Sequence, residues 1–152
     1  MEQTRKNLKT SSIVVLALAG LSLLNILFEL FFGELKKELE SATLPEGASG
    51  SIILIAQIFI VVVSVLVLLP QLYIGLKGLK MAKSPDSSKG HIIWGIILLV
   101  FTAIGLISPL VALIQGNGSA AENIAELCSI AVDVAVLVAY VDLAVTVRKG
   151  IS

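Results

Sequence analysis

Four long apolar runs dominate the chain, at roughly 11–33, 51–75, 91–115 and 124–147. Each meets or exceeds the about 20 residues that a helix needs to cross hydrocarbon. The polar intervals between them are short and hold turn chemistry. "LPEGASG" precedes the second run, "KSPDSSKG" the third and "QGNGS" the fourth. The pattern predicts an all-α polytopic membrane protein of one domain, with a cytoplasmic loop at 76–90 and outer loops at 34–50 and 116–123. In "PDSS", Asp86, Ser87 or Ser88 is expected to cap the third helix.

The first run follows a positive start, "RKNLK", as a signal peptide would. Its apolar stretch from Ile13 to Phe32 is too long for an h-region, and no clean small-x-small site follows, so it is expected to stay as a span. Basic residues set the orientation. Arg5, Lys6 and Lys9 lie before the first span; Lys77, Lys80, Lys83 and Lys89 lie between the second and third; Arg148 and Lys149 follow the fourth. Of the 11 basic residues only Lys36 and Lys37 fall on the other side, amid Glu34, Glu38, Glu40 and Glu46. Both termini are therefore expected in the cytoplasm.

Composition agrees. Hydrophobic residues make up 57% and charged ones 14%, against about a quarter charged in soluble domains. The surplus apolar surface must face lipid. A net charge of zero argues against a nucleic-acid partner. The single cysteine, Cys128, rules out an intrachain disulfide or a CxxC pair and is read as a small buried hydrophobe. Tyr73 and Trp94 sit at the cytoplasmic ends of their spans, where amphipathic rings favour headgroups. His91, the sole histidine, is read as another headgroup contact. With no HExxH, second histidine or cysteine pair, neither a metal nor another cofactor is expected.

The stretch "GLKGLKMAKSPDSSKGHIIWGIILL", 75 to 99, resembles the cytoplasmic loop of small, uncharacterised four-span membrane proteins of Gram-positive bacteria. The resemblance implies a bacterial plasma membrane and no activity. Its lysines, Lys77, Lys80, Lys83 and Lys89, are topology determinants first and candidate contacts for anionic headgroups second.

Polar positions recur every seven residues, which returns to within about 20° of the same helix face. Glu126, Asp133 and Tyr140 do so in span four; Gln57, Ser64 and Gln71 in span two; Gly95, Thr102 and Pro109 in span three. In span one Ser22 and Glu29 share the spacing, with Asn25 between them. This period suits left-handed packing. It predicts a compact four-helix bundle with the stripes turned inward. Ala131, Ala135 and Ala139 add a small-xxx-small surface for a second copy or a membrane partner.

Asp142 is half a turn from Asp133 and about one turn from the cytoplasmic end, near Arg148 and Lys149. It is read as a structural, snorkelling residue. Asp133 is different. It lies about ten residues into its span, roughly 15 Å deep at 1.5 Å per residue, with no Lys, Arg or His at its depth. It is expected either to be neutral and hydrogen-bonded to Ser64 or Thr102, gluing the bundle, or to mark a proton or cation site. In the second reading Glu126 and Glu29 form the outer approach, and Asn25, Gln57, Ser64 and Thr102 line it. No nucleophile, base and orienter set is present, so an enzyme is not expected. The favoured role is a non-catalytic accessory or scaffold subunit; the alternative is a cation- or proton-conducting component.

Overall fold

The computed structural model describes residues 1–33, 36–37 and 50–151. The expected outer loop with Glu34, Glu38, Glu40 and Glu46 lies outside the described residues. The described elements are helical: α1 (Glu2–Phe32), α2 (Gly50–Lys83), α3 (Gly90–Gly105), α4 (Ile107–Gln115) and α5 (Ala120–Lys149). With α3 and α4 taken as one run, four helical spans are long and apolar enough to cross a membrane. Their surface agrees, because large apolar side chains such as Phe101 (69%) and Ile114 (82%) stand exposed. Lipid is the solvent that tolerates them.

Two corrections to the spans follow from local chemistry. The third is broken, not continuous. Pro109 has no N–H to give the Gly105 carbonyl, and its ring crowds that carbonyl. The helix ends accordingly: Leu106 N–H turns back to Ala103 O at 3.2 Å, and the ladder resumes with Leu110 N–H on Leu106 O at 3.3 Å. The second span runs to Lys83, eight residues past its expected end, so the loop expected at 76–90 shrinks to 84–89. This extension is amphipathic at the helical period. Ile74, Gly75, Gly78, Met81 and Ala82 are buried, while Leu76, Lys80 and Lys83 are exposed. Arg5 finishes it, donating through Nε to Ala82 O at 2.9 Å and through Nη2 to Lys83 O at 2.5 Å. A guanidinium at the last carbonyls satisfies orphan acceptors and complements the negative helix end.

The expected side-chain cap of α3 does not form. Lys89 holds the cap position without a side-chain hydrogen bond, and Asp86 Oδ1 instead accepts the Ser88 N–H at 2.9 Å, an Asx turn within the loop. At the other end of the hairpin, Gly116 and Gly118 adopt φ of 67° and 72°. This left-handed region favours glycine, so "QGNGS" can close α4 onto α5.

The chain divides into two compact units, Met1–Leu16 with Pro70–Ser152, and Ala17–Leu69. In the first, Leu8 and Val15 of α1, Ile74, Met81 and Ala82 of α2, Ile92 of α3, and Leu137, Tyr140, Ala144 and Val147 of α5 form one core. In the second, the rest of α1 lies antiparallel to the start of α2, with Gln57 Nε2 donating to Leu30 O at 3.3 Å.

Candidate functional site

The most buried polar cluster forms around Tyr140, in the first unit. Its side chain is fully enclosed, and its hydroxyl donates to the Ile74 carbonyl at 2.7 Å. Two glycines make the room. A Cβ on Gly78 would collide with Ser12 Oγ and come within 2.6 Å of Tyr140 Cε2. One on Gly95 would lie 3.0 Å from Val141 Cγ2 and 3.5 Å from the Tyr140 ring. Small residues at such crossings let backbones approach closely. Here they let α1, α2, α3 and α5 share one aromatic anchor.

His91 packs edge-on to that ring, centroids 6.4 Å apart at 77°. The expectation of a headgroup contact is overturned: His91 is 1% exposed. Its Nε2 lies 3.1 Å from Met81 Sδ, and its Nδ1 is buried without a partner. A neutral ring with its proton on Nε2 donates to the sulfur and leaves Nδ1 as a bare acceptor, the arrangement that strands no donor. The sequence placed this residue at the interface by its neighbour Trp94. Trp94 is indeed 44% exposed, whereas His91, about 60° away around the helix, is covered by Met81 and Tyr140.

The heptad stripes fare unequally. On α3 and α4, Gly95 and Pro109 are buried and Thr102 is half-buried. On α2, Gln57, Ser64 and Gln71 are half-buried, and Gln71 Nε2 reaches Val15 O at 3.4 Å. On α5 the stripe fades from buried Tyr140 through half-buried Asp133 to exposed Glu126. On α1 it misses: Ser22 and Asn25 are exposed, and Glu29 is half-buried. The face that α1 buries is instead Leu8, Ser12, Val15, Ala19 and Leu30. At 100° per residue Ser22 and Asn25 lie about 60° and 120° from Ala19.

The expected partners of Asp133 are engaged elsewhere. Ser64 donates to Ile60 O and Thr102 to Leu98 O, both at 2.7 Å. Each hydroxyl closes on its own helix at i−4, the usual resort of such groups in an apolar helix. Asp133 receives no hydrogen bond among the described residues. Asp142 is exposed, as are Ala131, Ala135 and Ala139. Cys128 is exposed too, which corrects the expectation of burial: a thiol is apolar enough to face lipid. Among the described residues no group of three or more His, Cys, Asp or Glu converges as a metal site would.

Sequence reasoning missed Gly75, Gly78, Ser12, Met81 and Arg5. One signal was available. Gly75 and Gly78 sit at G-x-x-G spacing, but the expected span ended at Gly75 and Gly78 fell in the expected lysine-rich loop. The chain matches no family model, no curated protein and no solved structure.

Proposed function

We propose that this protein is a non-catalytic accessory or scaffold subunit of a bacterial plasma membrane, its four spans packed as a left-handed bundle with both termini cytoplasmic. One observation carries the reading. The polar side chains aligned along the spans donate to backbone carbonyls: Ser12, Ser64 and Thr102 to their own helices, Gln57, Gln71 and Tyr140 to a neighbour. The last three tie neighbouring helices to one another, and the three hydroxyls are satisfied within their own helices. The exposed Ala131, Ala135 and Ala139 on α5 support a partner helix, because small residues permit close approach in lipid.

Reporter fusions test the orientation. Those at the C-terminus and at Lys83 should report cytoplasm, and one at Leu44, outside the described residues, should report the exterior. A cytoplasmic signal at Leu44 would sink the four-span topology. The scaffold role is tested by cysteine crosslinking at Ala135 in native membranes. It predicts a discrete product of fixed stoichiometry that Ala131→Leu with Ala139→Leu abolishes; only uncrosslinked monomer at all densities would count against it.

A second reading has its own support. Asp133 is half-buried at mid-span with no hydrogen-bond donor among the described residues, and an intramembrane acid is a candidate ion site. Under it, proteoliposomes should show proton or cation flux that Asp133→Asn abolishes with folding intact, since the amide cannot titrate or carry charge. Flux equal to empty vesicles removes this reading. Asp133→Leu should then fold as well as the parent, because no partner group is left stranded.

A further inference from the structure

Beside the end of α5 the surface forms a cavity of about 170 Å³ lined by Ser87, Arg148, Lys149 and Ile151. This is below the about 300–1,000 Å³ of sites that enclose a drug-sized ligand, so it suits one small group. Its chemistry is mixed. Arg148 and Lys149 bring two cations, Ser87 a hydroxyl, and Ile151, 43% exposed, an apolar wall. A guanidinium matches phosphate bidentately, and an ammonium adds a point charge. Arg148 makes no ion pair among the described residues. Asp86, the acid beside Ser87 in sequence, turns its Oδ1 to the Ser88 N–H.

Depth identifies the source of the phosphate. α5 has 30 residues, about 45 Å at 1.5 Å per residue, and a bilayer with its headgroups is about 40–45 Å thick. The last turn of α5, which carries both cations, therefore lies in the headgroup layer. A soluble phosphate has no use for an apolar wall, whereas a phospholipid presents hydrocarbon next to its phosphate.

We propose that this cavity binds the headgroup of an anionic phospholipid, with Arg148 and Lys149 on the phosphate, Ser87 donating to a headgroup oxygen and Ile151 against the start of an acyl chain. The bland account is that both cations merely complement the negative end of α5; that account predicts no lipid selectivity.

The test is native mass spectrometry of the full chain in detergent, with phosphatidylglycerol and phosphatidylcholine offered together. Phosphatidylglycerol should be retained preferentially. Arg148→Gln and Lys149→Gln should each lower that preference about fivefold, the effect of one cation near an anionic surface. Arg148→Lys should keep most of it, and Lys77→Gln with Lys80→Gln should leave it unchanged. Ser87→Glu, in an exposed loop where folding is not at stake, should abolish it by placing a carboxylate in the cavity. Equal retention of both lipids, or equal losses from the loop lysines, would overturn the site. Displacement of phosphatidylglycerol by inorganic phosphate at equal concentration would overturn the lipid as its ligand.

Discussion

Gly78→Val should destabilise the helical assembly by about 1–3 kcal/mol, the range for forcing extra methyl groups into a filled contact. At Gly78 a Cβ alone meets Ser12 Oγ from α1 and Tyr140 Cε2 from α5, the latter at 2.6 Å. Neither neighbour has an easy retreat. Ser12 is fully buried and tied to Leu8 O at 2.7 Å, and the Tyr140 ring is held by its own hydroxyl. An opposing effect exists, since replacing a mid-helix glycine relieves up to about 1 kcal/mol of backbone entropy. Gly20 isolates it: a Cβ there meets nothing within 4 Å, so Gly20→Ala should be neutral or mildly stabilising. Reversible unfolding in mixed micelles compares the two directly. Parental stability in Gly78→Val would mean that α1, α2 and α5 do not meet at this point.

Tyr140→Ala should cost about 3 kcal/mol, the low end for truncating a buried aromatic. The low end applies because lipid solvates apolar surface about as well as a protein core, so packing rather than transfer supplies the loss. Tyr140→Phe divides that cost. It keeps the ring against His91 and the two glycines and removes only the bond to Ile74 O, worth about 0.6–1 kcal/mol in membrane helices. The Ile74 carbonyl also lies in the ladder of α2, so losing the hydroxyl does not strand it. If Phe proved as damaging as Ala, the hydrogen bond and not the ring would be the anchor. If both were silent, the cluster would not be the core of its unit.

The two substitutions also mark where sequence reading stops. Tyr140 belonged to a heptad stripe with Asp133 and Glu126, and the spacing identified its face correctly. The spacing could not rank the three by burial. A stripe gives an angle about the helix axis and says nothing of how far along that axis neighbours remain in contact. At the Tyr140 level α1, α2 and α3 all pack near α5; at Glu126 the side chain is exposed. His91 shows the same limit in reverse. One residue among aromatic and basic neighbours reads as interfacial, and burial came from Met81 and Tyr140, distant in sequence.

The sequence by itself determined that the chain is helical, that it has four spans, and roughly where each lies. These follow from hydrocarbon's refusal of unpaired backbone and charge, which acts on every residue locally and leaves its mark in composition. It placed Pro109 only on a heptad stripe; the interruption of the third span showed itself at Gly105 and Leu106. Only the tertiary structure decided which polar groups face protein and to whom they donate. It moved the inward face of α1 from Ser22 and Asn25 to Ser12, Val15 and Ala19, and turned Gly78, expected in the loop at 76–90, into a close contact of α2 with Ser12 and Tyr140. Within a membrane both faces of a span are apolar, so amphipathicity cannot say which one meets a neighbour. That choice rests on shape and on a few hydrogen bonds, which exist only once the helices have come together.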